Sequence, residues 1–477
     1  MRHRLQIEEL LGKLGGGYHY FLRRFELIEK RYIPALLLGF ILFSTLGRLI
    51  PPMQSPDENA HIMRAYLLSR GYITLKSVPG KMSGGEVDQG LYHYQQLATG
   101  EFAFHPNRKI TQKDIETLSS VKWAGKNVFV EIPTTGYYFP LIYTPQALGL
   151  TVGKWMDLTV QQSYLLARLF ALLSIVALLL IAFRTSSVGP FTIGLVILPM
   201  SLFQFFTASI DGIALALALA CFSTFNASCR KAVDFPDRAS YLLTVGLFIL
   251  INSKIQLLPF SFIPFAIAII RRKLLYFWEG LILVVASLSW LYIGIRFTND
   301  GGIRHAGISQ FFVLEYYIFH PLRFLDILIN TLNIDGRLLY YRNSFIGVLG
   351  WIDTYFTPKF YKHVSLLLIL LAVTSTSLAN LRDNWFPRAL LLTMSAASIF
   401  VIFLALLVQW NTFPAQSIDG IQGRYFIIPF CALSYALSWS TSMKPRPTPI
   451  SSCLLAALIV LVATEMPKVL LTRYYIW

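Results

Sequence analysis

The chain has 477 residues, of which 55% are hydrophobic and only 14% charged, with a mean hydropathy of +0.56. A soluble protein carries roughly 25% charged residues, so an ordinary water-soluble domain is excluded and repeated membrane-spanning helices are expected. The formal charge of +16 does not argue for nucleic acid, because the basic residues lie mainly in short stretches between apolar segments, the positive-inside pattern. The four cysteines, Cys221, Cys229, Cys431 and Cys453, sit in or at the ends of apolar segments and offer neither a CxxC spacing nor a disulfide framework.

Residues 1–32 read as a polar, amphipathic, cytoplasmic stretch without the short apolar core and small-residue cleavage site of a signal peptide. Arg23, Arg24, Lys30 and Arg31 precede the first span, Ile33 to Ile50, which Pro51 and Pro52 end. Residues 51–162 then form a large external loop. Within it Asp57 to Arg70 reads as an amphipathic helix, with Pro56 at its start and Gly71 after its end. Tyr137 to Leu158, interrupted by Pro140 and Pro145, reads as a short interfacial or re-entrant helix.

Further spans are expected at Ser163–Phe183, Phe191–Phe206, Ile210–Cys229, Tyr241–Ile251, Ile255–Ile270, Leu274–Arg296, Val364–Ala379, Ala389–Trp410, Tyr425–Trp439 and Cys453–Thr464. The pair around Lys254 is short enough to be one broken helix. Residues 297–363 form a second external loop. Arg230, Lys231 and Arg238, then Arg271 to Lys273, Arg382 and Arg388, and Lys444 and Arg446 fall on the cytoplasmic side of this count. The expected fold is therefore an all-α polytopic membrane protein of about eleven spans, one transmembrane domain over residues 33–477, N-terminus inside and C-terminus outside.

The same count puts the unusual polar residues on the external face: Asp57, Glu58 and His61 in SPDENAH, Asp211 in ASIDG, Lys254, Asp335, Arg337, Arg342, Asp353 and Arg424. Ionisable groups at that depth are candidate functional residues. Asp57, at a helix start, suits a general base, and the competing reading is that it only caps the helix. Asp57 and His61, four apart, share a helix face, whereas Glu58 points elsewhere. Asp211 needs a metal, a sugar hydroxyl or a basic partner such as Lys254, and a plain structural ion pair satisfies it equally. Arg424 in QGRYF suits bidentate phosphate binding, or snorkelling to headgroups, with Tyr425 in an interfacial belt. Trp351 and Asp353 in GVLGWIDTYFTP suit a sugar ring, and an interfacial helix has the same composition. The Asp57, Glu58 and His61 set could hold a divalent cation, with Asp57 and Asp211 as the acids of any metal site, but the spacing is far weaker evidence than HExxH.

PDENAH, ASIDG, Ser253-Lys254, GVLGWIDT and QGRYF, in this order, resemble a bacterial membrane-protein family catalogued as a domain of unknown function, with PDE-x-x-H, GxLGWxD and QGRYF motifs. That family looks like a branch of the GT-C glycosyltransferase superfamily. The resemblance runs from about Pro51 to Pro429. It implies many spans, an acidic motif in a large first external loop and a polyprenyl-phosphate sugar donor. Asp57 matches the first-loop acid and Asp211 the acid of the second external loop. Arg424 and Lys254 have no equivalent and are assigned to donor phosphate from charge and position. Adjacent acids in PDEN replace the DxD pair of metal-dependent relatives, which puts a metal in doubt.

The expected activity is an inverting hexosyl transfer, with Asp57 or Glu58 as base and His61, Asp211, Lys254, Trp351, Asp353, Arg424 and Tyr425 around the substrates. The expected partners are the lipid-linked donor, a glycan acceptor such as O-antigen in lipopolysaccharide, and the lipid bilayer. The setting is the external face of a bacterial inner membrane. The alternatives are a transporter or flippase for a lipid-linked glycan, which would want ionisable residues at the midplane and an internal repeat, and a non-catalytic partner in glycan assembly.

Overall fold

The computed structural model describes residues 45–100, 102–230, 235–299, 307–376, 385–438 and 448–476. The chain divides into two compact units, Met1–Ile50 and Pro51–Trp477. Arg23, Arg24, Lys30 and Arg31, the first span as far as residue 44, and Lys231, Arg382, Lys444 and Arg446 lie outside the described residues.

The second unit begins with a polar layer. Helix α1 (Glu58–Ser69) follows Pro56 and ends before Gly71 (φ 84), close to its expected limits. Eight of its twelve residues are buried, so it is embedded in protein and is not a surface amphipathic helix. Strand β1 (Gly84–Asp88) leads into α2 (Gln89–Gly100), then α3 (Gln112–Ser120), which a Thr111–Asp114 capping box starts, then β2 (Asn127–Glu131). The strands pair antiparallel, Gly84 opposite Glu131 and Asp88 opposite Asn127. Helix α4 (Thr144–Trp155) is the short segment expected after Pro140.

Apolar helices follow. Thr159 and Gln162 form a capping box at the start of α5 (Val160–Thr185). The span expected over Phe191–Phe206 is broken instead into α6 (Pro190–Val196) and α7 (Pro199–Phe205), because Pro199 cannot donate the hydrogen bond that would continue the helix. Ser209 caps α8 (Ile210–Ser228). The short pair around Lys254 is α9 (Asp237–Ser253), a 3₁₀ stretch over Ile255–Phe262 containing Pro259, and α10 (Ile263–Arg271). Helix α11 (Leu274–Phe297) comes next.

The expected second external loop holds three helices, α12 (Gln310–Phe319), α13 (Pro321–Leu332) and α14 (Arg337–Gly347), and a hairpin of β3 (Val348–Leu349) and β4 (Thr354–Tyr355). Then come α15 (Pro358–Ser375), α16 (Trp385–Trp410), a 3₁₀ turn over Gly423–Phe426 that leads into α17 (Ile427–Leu437), and α18 (Pro449–Tyr474).

Among the described residues five helices, α5, α8, α11, α16 and α18, are long and apolar enough to cross a membrane. The described helices are those of an all-α membrane protein, with the expected spans over Phe191–Phe206 and Ile255–Ile270 interrupted. Helix α8 is the central one. Its most apolar stretch is 78% buried, against 28% for α5 and α11 and 22% for α18. Its alanine-rich sequence lets neighbours approach closely. One end of α8 carries Asp211. At the other, Arg271 donates to the carbonyls of Ser228 and Arg230. Nineteen helical residues separate these ends by about 28 Å, close to a bilayer's hydrocarbon thickness.

Candidate active site

Asp57 occupies the N-cap of α1 in a left-handed conformation (φ 62), and its side chain makes no capping hydrogen bond. The capping explanation for this residue therefore fails. A non-glycine residue in this region is strained unless its surroundings hold it there. The surroundings are extensive. Met53, also at positive φ, receives the indole N–H of Trp351 on its carbonyl (3.0 Å), and its own N–H donates to the Tyr164 hydroxyl (3.2 Å). Ser55 donates to Gln204 (3.1 Å).

Glu58 holds the turn from within. It is fully buried and accepts from the Tyr164 hydroxyl (2.6 Å), the Ala208 N–H (2.7 Å) and the Ser55 N–H (3.1 Å). Both its oxygens are thus engaged, and the expectation of Glu58 as an alternative base is corrected: it positions the turn that displays Asp57.

Asp57 turns instead to Arg424. One guanidinium nitrogen donates to Asp57 (2.6 Å), and the other donates to Asp211 (3.1 Å). Lys254 pairs with the remaining Asp211 oxygen. Four residues separated by up to 367 positions thus form one chain, Asp57–Arg424–Asp211–Lys254. Each sits at the end of a helix: Asp57 before α1, Asp211 in the first turn of α8, Lys254 after α9 and Arg424 before α17. The four are not equivalent. The Asp57 side chain is 57% exposed, whereas Asp211 and Arg424 are 13% and 4% exposed.

Aromatic rings enclose the cluster. Tyr425 lies beside Arg424, whose charge is 5.1 Å from the ring centre, and Tyr138 lies 5.7 Å from the Lys254 ammonium. The His61 Nδ1 is 2.9 Å from the Tyr143 hydroxyl. Burial pushes the His61 imidazole down to about 4, against the pull of Asp57 and Asp211, so it is neutral at pH 7. The surroundings of Asp57 oppose its ionisation, but the Arg424 guanidinium outweighs them and holds the carboxyl below its ordinary value. Burial, helped by the two carboxylates, pushes the Tyr138 phenol up. Two carboxylates, two cations and a neutral imidazole leave no net charge.

Among the described residues no three His, Cys, Asp or Glu side chains converge as a metal site. Asp57 and Asp211 are both engaged by Arg424, and His61 by Tyr143, so these donors do not fit a divalent cation.

A cavity of about 30 Å³ lies against the cluster, lined by Gln204, Asp211, Lys254, Gln256, Arg424 and Tyr425 among others. It admits a water-sized solute and not a sugar ring. A second cavity of about 80 Å³ shares Gln256 and Tyr425 and runs between Trp290 and Leu291 of α11 and Ile402 and Leu406 of α16.

Trp351 and Asp353 are not brought into this cluster. Trp351 buttresses the Asp57 turn and packs against Phe104 (5.4 Å between ring centres). Asp353 pairs with Arg473 of α18 (2.9 Å), and Arg473 also donates to the carbonyls of Phe102 and Arg108. Asp335 and Arg342 do not join it either, and Arg337 pairs with Asp419 (3.1 Å). Sequence reading missed Tyr138, Tyr143, Tyr164, Gln204 and Arg473. Tyr138 and Tyr143 lie in the aromatic run YYFPLIY, a visible signal, whereas Tyr164, Gln204 and Arg473 carry none.

The family described as predicted membrane protein (DUF2142) matches residues 38–434. The chain belongs to this family. The match covers Asp57, Asp211, Lys254 and Arg424 and stops short of α18. No curated protein matches the chain.

Proposed function

We propose that this DUF2142 protein is a GT-C-like inverting glycosyltransferase. It transfers a hexose from a polyprenyl-phosphate donor to a surface glycan, such as O-antigen, at the external face of a bacterial inner membrane. The observation that supports this most is the ion-pair chain from Asp57 to Lys254, with its one exposed carboxylate. The orientation is supported by the basic residues Arg230 and Arg271, which lie at the opposite end of α8 from Asp211.

In this reading the donor phosphate competes with Asp57 for Arg424. The cluster is neutral at rest, so an added phosphate would leave an excess of negative charge unless a carboxylate moves away. Asp57 is the exposed member and the one free to leave. Its departure gives Arg424 and Lys254 to the phosphate, which a guanidinium binds through parallel N–H groups. Freed of the guanidinium that depresses it, Asp57 regains basicity. It takes the acceptor hydroxyl proton as that oxygen attacks the anomeric carbon. The carbon–oxygen bond to phosphate breaks on the opposite face, and the charge of the departing prenyl phosphate rests on Arg424 and Lys254.

The test is transfer of labelled hexose from a short-chain prenyl phosphate to a cell-envelope glycan extract by the purified protein in nanodiscs. Asp57→Asn should lower transfer by about 10²–10⁴-fold with unchanged thermal stability. Undiminished transfer would remove Asp57 as the base.

A further inference from the structure

The polar layer contains a second recess that the charged cluster does not use. It is a cleft of about 360 Å³ between α1, α2 and the β1–β2 sheet, within the size range of ligand sites. Asn59 and Met63 of α1 line one wall, Tyr92, Gln95 and Gln96 of α2 another, and Phe129 and Glu131 of β2 the floor.

Its chemistry is that of amides, a phenol and two flat rings. The Asn59 amide, the Tyr92 hydroxyl and the Gln96 side-chain carbonyl have no hydrogen-bond partner among the described residues. Asn59 and Tyr92 are nonetheless half-buried. Amides and hydroxyls supply donors and acceptors side by side, the pairing that sugar hydroxyls need. Tyr92 supplies a face for the apolar side of a sugar ring. The only charges on the lining, Lys81 and Glu131, are of opposite sign. Lys81 lies over the Phe129 ring (5.1 Å), and Glu131 accepts from the Met82 N–H (3.3 Å). A lining without net charge does not select a phosphate or a polyanion.

The cleft is coupled to the cluster through one rigid element. Asp57 is the N-cap of α1, and Asn59, Ala60 and Met63 follow it on the same helix. At 1.5 Å per residue the cleft wall begins about 3 Å and ends about 9 Å along the axis from Asp57, and at about 100° per residue Asn59 and Met63 lie on the opposite face of α1 from His61, which faces the cluster.

We propose that this cleft binds a neutral saccharide and anchors one end of an acceptor glycan whose other end reaches Asp57 around the N-terminus of α1. The acceptor role rests on the glycosyl-transfer reading, whereas saccharide binding stands without it. The experiment is saturation-transfer NMR on the full chain in nanodiscs. The probes are a panel of neutral trisaccharides built from glucose, galactose, rhamnose and N-acetylglucosamine. At least one should receive saturation at millimolar concentration. Tyr92→Ala combined with Gln96→Ala should weaken that binding at least 10-fold at unchanged melting temperature, as should Asn59→Ala alone. Asp57→Asn should leave it intact. Binding by none of the panel, or binding equal in all variants, overturns the cleft assignment even if Asp57→Asn abolishes transfer. Binding at the cleft, with transfer undiminished in Asp57→Asn, overturns the proposed base and leaves the cleft standing.

Discussion

Arg473 and Arg424 are both buried, and each pairs with an acid far away in sequence. In one pair, Arg473 of α18 closes on Asp353 of the β3–β4 hairpin, with side-chain exposures of 4% and 10%. In the other, Arg424 is equally buried at 4% but faces two acids, and one of them, Asp57, is 57% exposed. The first is a sealed clasp: neither partner has anywhere to go, and Arg473 also donates to two backbone carbonyls. The second has a spare. Without Asp57, Asp211 would still pair with both Arg424 and Lys254, and one positive charge would remain for an anion to balance. Acid–arginine contact alone does not distinguish the two systems, but the exposure of the acid and the presence of a second acid behind it do.

Transfer activity offers the largest test of that contrast. Asp57→Asn should cost about 10²–10⁴-fold in rate with little change in melting temperature, because the exposed carboxylate leaves Arg424 still bound to Asp211. Asp353→Ala should do the reverse. It strands a buried guanidinium, at a cost of about 3–5 kcal/mol, read as a loss of folded yield and thermal stability. Replacing both partners, Asp353→Leu with Arg473→Met, should recover most of that loss. Equal stability losses at Asp57 and Asp353 would erase the distinction.

A smaller effect is expected at Gly423, beside Arg424. A Cβ there would lie 2.1 Å from the Phe345 nitrogen and 2.2 Å from the Tyr341 oxygen, both backbone atoms of α14. The glycine of QGRYF lets the 3₁₀ turn that carries Arg424 press directly on that helix. Gly423→Ala must push the two apart, at about 1–3 kcal/mol, and should weaken prenyl-phosphate binding along with stability. A stability loss without any change in binding would mean that this packing does not aim Arg424.

Much of the cluster was legible because membrane sequences make charge conspicuous. Asp211, Lys254 and Arg424 interrupt apolar runs, and each stands at a helix end where odd-and-even counting assigns one face. The count itself was less legible. Pro199 splits one expected span, and Pro259 lies in the 3₁₀ stretch that interrupts another, a consequence of backbone hydrogen bonding that apolar composition does not report. GVLGWID was assigned to substrate from its composition. Its Trp351 and Asp353 are spent on the Asp57 turn and on Arg473, contacts that depend on tertiary packing over 298 and 120 residues. Glu58 was indistinguishable from Asp57 by type. Helical spacing already turns Glu58 away from the face of Asp57 and His61, but its burial against Tyr164 and Ala208 depends on tertiary packing.

The gentlest probe of the exposed system is proton concentration. His61 faces Asp57, Asp211, Lys254, Arg424 and Tyr143, and burial lowers it from an ordinary value of 6.5 to about 4. Between those values the unfolded chain binds a proton that the folded one refuses, so stability falls as pH drops. The loss should reach about 1 kcal/mol by pH 5.5 and level off below pH 4. Asp57, held below 3.8, adds its own loss only at still lower pH, so the two windows separate. His61→Gln keeps a polar partner for Tyr143 and removes the titration, and it should flatten melting temperature between pH 7 and pH 5. The Asp353–Arg473 clasp lies outside the cluster around His61, so Asp353→Leu with Arg473→Met should keep the slope. A slope that survives His61→Gln would assign it to other groups and leave the neutral imidazole beside Asp57 without support.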